Sequence, residues 1–125
     1  MVRTRTKRFL ITKVSQTPRI AFIFVAGLVE LFIRRLSVEG TSMMPTYAPG
    51  ERLTALRRWR KVRVGDVVVV RDPREPSRWL LKRCVARDGA RLDLRGDNTA
   101  ASTDSRDFGL VASRDVAWLV LKQRV

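Results

Sequence analysis

Four consecutive valines, Val67-Val68-Val69-Val70, constrain this chain more than any other feature. β-branched side chains favour extended, pleated backbone, and a run this short makes no helix. An unbroken apolar run reads as a strand covered on both faces. Turn signals bracket it, Gly65-Asp66 before and Asp72-Pro73 through Pro76-Ser77 after. The same rhythm continues along the chain. Leu36-Ser37-Val38-Glu39 alternates, Tyr47-Ala48-Pro49-Gly50 reads as a turn, and Arg52 to Leu56 reads as a short strand. Trp79 to Ala86 is the next strand. Asp88-Gly89 is a hairpin signal, and Arg91-Leu92-Asp93-Leu94 is the returning strand. Val116 to Leu121 closes the series. Many short strands at close spacing predict a mainly β domain, compact and coiled or barrel-like, with one N-terminal apolar helix. At 125 residues the chain is long enough for one domain with a modest core. The expected division is 1–35, a basic tail with an apolar helix, and 36–125, the β-rich domain.

The N-terminal part has a different composition. Met1 to Arg19 carries Arg3, Arg5, Lys7, Arg8, Lys13 and Arg19 and no acid, which reads as a disordered or interfacial tail. Ile20 to Val29 is apolar apart from glycine. Glu30 interrupts, Leu31-Phe32-Ile33 resumes, and Arg34-Arg35 closes the run. A bilayer span takes ~20 apolar residues, so Ile20–Ile33 is short and carries a carboxylate. Three placements stay open: a short membrane helix with Glu30 near one interface, an uncleaved signal-like anchor, or a helix lying in the membrane plane or on the domain. If the segment spans, the positive-inside rule puts the N-terminus in the cytoplasm of a single-pass membrane protein. The basic character of the rest of the chain blunts that argument. If it does not span, the protein is cytoplasmic or peripheral.

The formal net charge is +14, from 26 Lys and Arg against 12 Asp and Glu. Such a balance calls for an anionic partner, a membrane surface or a nucleic acid. Arg57-Arg58-Trp59-Arg60-Lys61-Val62-Arg63 reads first as a solvated hairpin. Its functional alternative is a contact with anionic lipid, with Trp59 at the headgroup level. Nucleic acid is the weaker partner, because one aromatic makes a poor stacking platform. Cys84 stands alone, so no internal disulfide forms, and it reads as a small buried strand residue.

Chemistry concentrates at Gly40-Thr41-Ser42-Met43-Met44-Pro45-Thr46. Glycine permits unusual backbone angles, and Pro45 stiffens the loop and pushes Met44 toward extended geometry. Such a loop can hold the Ser42 hydroxyl at a defined angle. A serine needs a base, and this chain has no histidine. Ser-His-Asp and Cys-His arrangements are therefore excluded, leaving lysine or carboxylate. Lys82 stands out. On a strand it shares a face with Leu80, Cys84 and Ala86, where lost solvation lowers an amine's pKa. Taken alone, Ser42 is a plain loop serine, Lys82 an exposed strand lysine, and Gly96 to Gly109 a polar surface loop.

Four ordered segments change that balance. Ser42-Met43-Met44-Pro45-Thr46, then Gly65-Asp66-Val67-Val68-Val69, then Leu81-Lys82-Arg83, then Gly96-Asp97-Asn98 through Ser102 to Asp104-Ser105-Arg106 resemble, in order and spacing, the type I signal peptidase family of serine endopeptidases. The resemblance runs from about Val38 to Trp118. It implies a signal-peptidase-type β domain with Ser42 as nucleophile and Lys82 as general base, and no metal or cofactor. It implies that Ser102 hydrogen-bonds the Lys82 amine, and that Asp104 and Arg106 form an ion pair beneath the site. Met43 and Met44 would seat the loop, with Met43 also a candidate for lining the substrate cleft. Some members carry a serine donor two positions before the nucleophile. That position is Gly40 here, which leaves the Ser42 backbone N–H and a neighbouring donor or Thr41 for the oxyanion.

The resemblance further implies a peptide or pre-protein substrate with small residues before the cut. Only Arg83 to Arg95 separates the Lys82 strand from the Gly96 box, so this is a minimal core without an inserted domain. The lead-in Val38-Glu39-Gly40-Thr41-Ser42-Met43 is as similar to the small branch that matures nickel-type superoxide dismutase as to the secretory one. Self-cleaving repressors also use Ser-Lys but lack the Gly-Asp-Asn and Asp-Ser-Arg box. The competing class is a catalytically inactive basic module that binds membrane or nucleic acid; it predicts steeply salt-dependent binding indifferent to Ser42 and Lys82.

Overall fold

The computed structural model describes residues 2–5 and 31–121, and they are mainly β. The valine run is the middle of β4 (Val67–Asp72), and all four valines are buried. Their alternation divides them between two apolar clusters. Val67 and Val69 pack with Leu36, Val38, Met43, Tyr47, Leu53, Ala55 and Leu81. Val68 and Val70 pack with Leu80, Cys84, Leu92, Leu94, Val111, Val116 and Leu119. A strand between two cores has no polar face, which is why the run carries no alternation.

The remaining strands are β1 (Val2–Arg5), β2 (Ile33–Val38), β3 (Arg52–Arg57), β5 (Glu75–Asp88), β6 (Arg91–Arg95), β7 (Val111–Ala112) and β8 (Val116–Val120). They form one sheet in the order β1-β2-β3-β8-β4-β5-β6-β7. Every pairing is antiparallel. The sheet bends enough that β1 also approaches β5. Between β6 and β7 lies a four-residue helix, α1 (Ser105–Phe108). Asp104 caps it, accepting the Arg106 N–H, while the Asp107 side chain accepts the Asp104 N–H.

Several features differ from the sequence expectation. Val2–Arg5, expected within a tail, pairs with β2. β2 starts at Ile33, so the boundary expected after residue 35 falls inside a strand. β5 starts at Glu75 and takes in residues expected in a loop, because the β4–β5 ladder continues to the Asp72–Glu75 pair. The last strand, β8, sits inside the sheet between β3 and β4. Hydrogen-bonding edges and core contacts set that position; chain order does not. The apolar helix expected before β2 falls on residues outside those described, apart from Leu31 and Phe32, which are helical, and Ile33, which begins β2. No helix among the described residues is long and apolar enough to cross a membrane.

Candidate active site

The loop between β2 and β3 carries Ser42. Gly40 has φ 75°, the left-handed region where glycine alone is unstrained. The Met44 N–H then donates to the Thr41 carbonyl (3.1 Å) and the Tyr47 N–H to the Met43 carbonyl (2.9 Å), closing a tight turn. Met43 and Tyr47 drive into the first core and fix the turn from beneath. Met43 is only 1% exposed, so it seats the loop; the expected contact with a substrate cleft does not suit a side chain so deep in the core. Met44 is the methionine that faces solvent. Ser42 is 8% exposed, and its hydroxyl has no hydrogen-bond partner among the described residues. A buried hydroxyl left unpaired is costly and rare, and demands an explanation.

Lys82 lies on β5 opposite Val68. Its neighbours two positions away, Leu80 and Cys84, belong to the second core. The lysine itself is 2% exposed. Burial is the main force on its amine and lowers the pKa below the usual lysine value. The Asp104 and Asp72 carboxylates oppose that shift, and the Arg106 and Arg74 guanidiniums reinforce it.

The amine is held by a relay. Lys82 Nζ donates to Ser102 Oγ (3.0 Å), and Ser102 Oγ donates to Asp104 Oδ2 (2.7 Å). The Gly96 N–H donates to both Ser102 Oγ (3.2 Å) and Asp104 Oδ2 (3.1 Å). Arg106 Nε and Nη2 grip the two Asp104 oxygens at 2.9 and 3.0 Å. Burial alone would raise the Asp104 carboxyl, but hydrogen bonds from Arg106, Ser102 and Gly96 override it and hold the carboxyl well below the usual range. Asp104 is therefore an anion and accepts the hydrogen bond that the Ser102 hydroxyl donates. With its own proton directed at Asp104, Ser102 Oγ can act toward the lysine only as an acceptor. The lone pair of a neutral Lys82 amine is then left unused by the relay.

The serine loop and the lysine relay meet at Gly96. A Cβ built there would lie 2.3 Å from Ser102 Oγ, 2.6 Å from Ser102 Cβ and 2.5 Å from the Ser42 carbonyl oxygen. Only glycine lets these two segments come so close. Asn98 fastens the junction: its N–H donates to the Ser42 carbonyl (2.9 Å), and its Nδ2 donates to the Thr41 carbonyl (3.1 Å). The structure thus brings Ser42, Lys82, Ser102, Asp104 and Arg106 into one neighbourhood, with Gly40 and Thr41 shaping the loop.

Sequence reasoning missed a second clamp. Arg83, beside Lys82 but on the other face of β5, makes a two-point pair with Asp97 at 2.9 Å for each contact. Asp97 also accepts from Thr46 Oγ1 (2.6 Å), and Arg83 reaches the Gly65 carbonyl (2.8 Å). One guanidinium thereby ties β5, the serine loop and the Gly65 turn together. The signal was the Lys-Arg pair and the Gly-Asp-Asn triplet, in which each polar residue has a partner far away in sequence.

In chemical terms, the site sets a buried, unpartnered hydroxyl on a loop near a desolvated amine held by a hydrogen-bonded relay. Two comparisons bear on the family of the chain. The family model described as signal peptidase, peptidase S26, matches residues 11–97, which include Ser42 and Lys82. The mitochondrial ATP-independent inner membrane protease subunit 1a of Arabidopsis thaliana is 37% identical, over 59% of this chain and 60% of its own length. Subunit 1b of the same organism is 34% identical, over 58% of each chain. The chain thus spans about 60% of the curated relatives it matches. With the match extending over most of its length, the chain belongs to the signal peptidase family, peptidase S26.

Proposed function

We propose that this protein is a serine endopeptidase that cleaves an N-terminal signal or pro-peptide after small residues, with Ser42 as nucleophile and Lys82 as general base. The observation that carries the assignment is the Ser42 hydroxyl, buried and unpartnered, on a loop whose carbonyl is bonded to the same box that holds the Lys82 relay. In resting enzymes catalytic hydrogen bonds are often long and tighten only with substrate bound. On substrate entry, Ser42 Oγ attacks the scissile carbonyl carbon while its proton passes to the neutral Lys82 amine. The oxyanion is held by the Ser42 backbone N–H and a neighbouring donor, for which Gly40 and Thr41 leave the backbone or the Thr41 hydroxyl. The Lys82 ammonium then protonates the leaving amine, an acyl-enzyme forms, and Lys82 takes a proton from the water that releases it. Ser102 keeps the amine oriented throughout, and Asp104 with Arg106 keeps Ser102 oriented. This chemistry uses no nucleotide, in keeping with relatives named ATP-independent. Those relatives are also named inner membrane proteases, which supports membrane attachment here through the apolar stretch Ile20–Val29, with the β sheet as a coiled, barrel-like catalytic domain.

The test is cleavage of a peptide with alanine at the first and third positions before the cut. Ser42→Ala and Lys82→Ala should each abolish cleavage while leaving circular dichroism and melting cooperative. A wild-type rate from either variant would overturn the dyad.

A further inference from the structure

A second site lies at the other end of β2 from the serine loop. Arg34, Arg57, Arg58 and Arg114 line a cleft of about 550 Å³ together with Trp79, Val116, Ala117 and Trp118. Arg34 and Val38 are four residues apart on β2, about 13 Å at strand spacing, and the Ser42 loop begins beyond Val38. Trp79 and Lys82 are three apart on β5 and so point to opposite faces. The cleft is therefore separate from the lysine relay.

Its chemistry is one-sided. The lining contains four guanidiniums and no carboxylate. Among the described residues, none of the four is in an ion pair. Arg34 lies over the Trp118 ring at 5.2 Å, and Arg58 Nη1 is anchored on the Ser113 carbonyl and hydroxyl at 3.1 Å each. Arg71 lies over Trp79 at 4.3 Å on the adjoining strand. Stacking an arginine on an indole leaves its N–H edge open to oxyanions. Four clustered cations repel one another unless an anion lies between them.

The segment that precedes Arg34 bears on the class of anion. Leu31, Phe32 and Ile33 are 47, 56 and 39% exposed and run directly into Arg34. Before them in sequence lies the apolar stretch Ile20–Val29. An exposed apolar segment that leads in sequence into an arginine cleft lined by indoles matches the step from acyl chain to phosphate at a lipid surface. We propose that this cleft binds the phosphodiester headgroup of an anionic phospholipid and so docks the β domain on a negatively charged bilayer, whether or not the Ser42 assignment holds.

The test uses the full chain carrying Trp59→Phe, which leaves Trp79 and Trp118 as the tryptophans, both in the cleft. It is mixed with phosphatidylglycerol or phosphatidylcholine vesicles containing lipids brominated near the glycerol. Emission should shift to the blue and be quenched on phosphatidylglycerol only. Arg57→Gln with Arg114→Gln should weaken that binding roughly thirtyfold, at about tenfold per 1.4 kcal/mol and ~1 kcal/mol for each arginine. Arg63→Gln with Arg91→Gln removes the same charge from exposed sites elsewhere and should weaken it less than about threefold. Equal losses in the two double variants, or vesicle binding without quenching, would assign the attraction to net charge or to the N-terminal segment and overturn the site. Inorganic phosphate, compared with chloride at equal ionic strength, should leave the emission unchanged without vesicles. A shift as large as that on vesicles would make the cleft a free-phosphate site and overturn the lipid assignment.

Discussion

Gly96→Ala is the sharpest perturbation the structure offers. The added Cβ would meet Ser102 Oγ at 2.3 Å, the Ser42 carbonyl at 2.5 Å and Ser102 Cβ at 2.6 Å. Ordinary contact begins near 3.4 Å, so Ser102 or the serine loop must retreat by about 1 Å. The Ser42 carbonyl is backbone and already accepts the Asn98 N–H, and the Ser102 hydroxyl is committed to Lys82 and Asp104. Neither side yields without breaking a bond that positions the proposed dyad. Overpacking of this kind costs ~1–3 kcal/mol in stability, and a 1 Å misplacement of reacting groups costs ~10²-fold in rate. The assay is kcat/KM on the alanine-containing peptide together with thermal melting. Gly89→Ala is the control. Gly89 has φ 57° and open space around its Cβ position, so alanine there strains the turn by ~1–2 kcal/mol without touching the site. Both variants should melt lower, and only Gly96→Ala should lose activity. A Gly96→Ala enzyme within about threefold of wild-type kcat/KM, or an equal loss from Gly89→Ala, would refute the idea that crowding at Gly96 aligns the two segments.

Four further outcomes follow from the same geometry. Activity should rise with pH along a limb centred below the ordinary lysine value of about 10.4, because burial lowers the Lys82 pKa and the base must be neutral; a flat or falling limb in kcat against pH would count against lysine. The same shift has a stability sign: between the folded and unfolded values the unfolded chain binds the extra proton, so stability should climb with pH there, and Lys82→Met should flatten that climb in denaturant titrations. Ser102→Ala removes the acceptor that orients the amine and should cut kcat ~10²-fold with KM little changed, whereas an unaltered kcat would leave Ser102 without a positioning role. Burial pushes the Asp97 carboxyl up, but hydrogen bonds from Arg83 and Thr46 and the Arg83 charge win and hold it low. Its contribution is therefore present above about pH 3.9 and lost as pH falls through the folded value, so Asp97→Asn should be less stable at neutral pH by ~1–3 kcal/mol and converge on wild type in acid.

Local chemistry made much of this protein legible in one dimension. Val67–Val70 announced a doubly covered strand because β-branched side chains and missing polar alternation are properties of neighbours in sequence. Asp88-Gly89 announced the β5–β6 hairpin for the same reason, and Gly89 has the left-handed φ such a turn uses. Ser42 and Lys82 emerged from elimination, since a chain without histidine has few bases to offer, and from the order of four motifs. The relay from Lys82 through Ser102 to Asp104 was implied by resemblance alone, and residue types could not have supplied its distances.

Other properties exist only after the chain has folded. β8 lies between β3 and β4 because its edges pair there and Val116 and Leu119 complete the second core, a choice made by partners far away in sequence. Thr46 and Asp97 lie 51 residues apart, so no local pattern marks their bond or the Arg83 clamp built on it. Met43 and Met44 are adjacent and alike, and only the turn decided that Met43 fills the core while Met44 faces out. The arginine–tryptophan cleft gathers residues from β2, β3, β5, β8 and the turns beside them that are ordinary singly and form a cleft only when the sheet sets them side by side. By itself the sequence determined propensity, period and the available chemistry, because these depend on each residue and its near neighbours. Tertiary structure decided which distant groups touch, which is how Gly96 came to press the serine loop against the lysine relay.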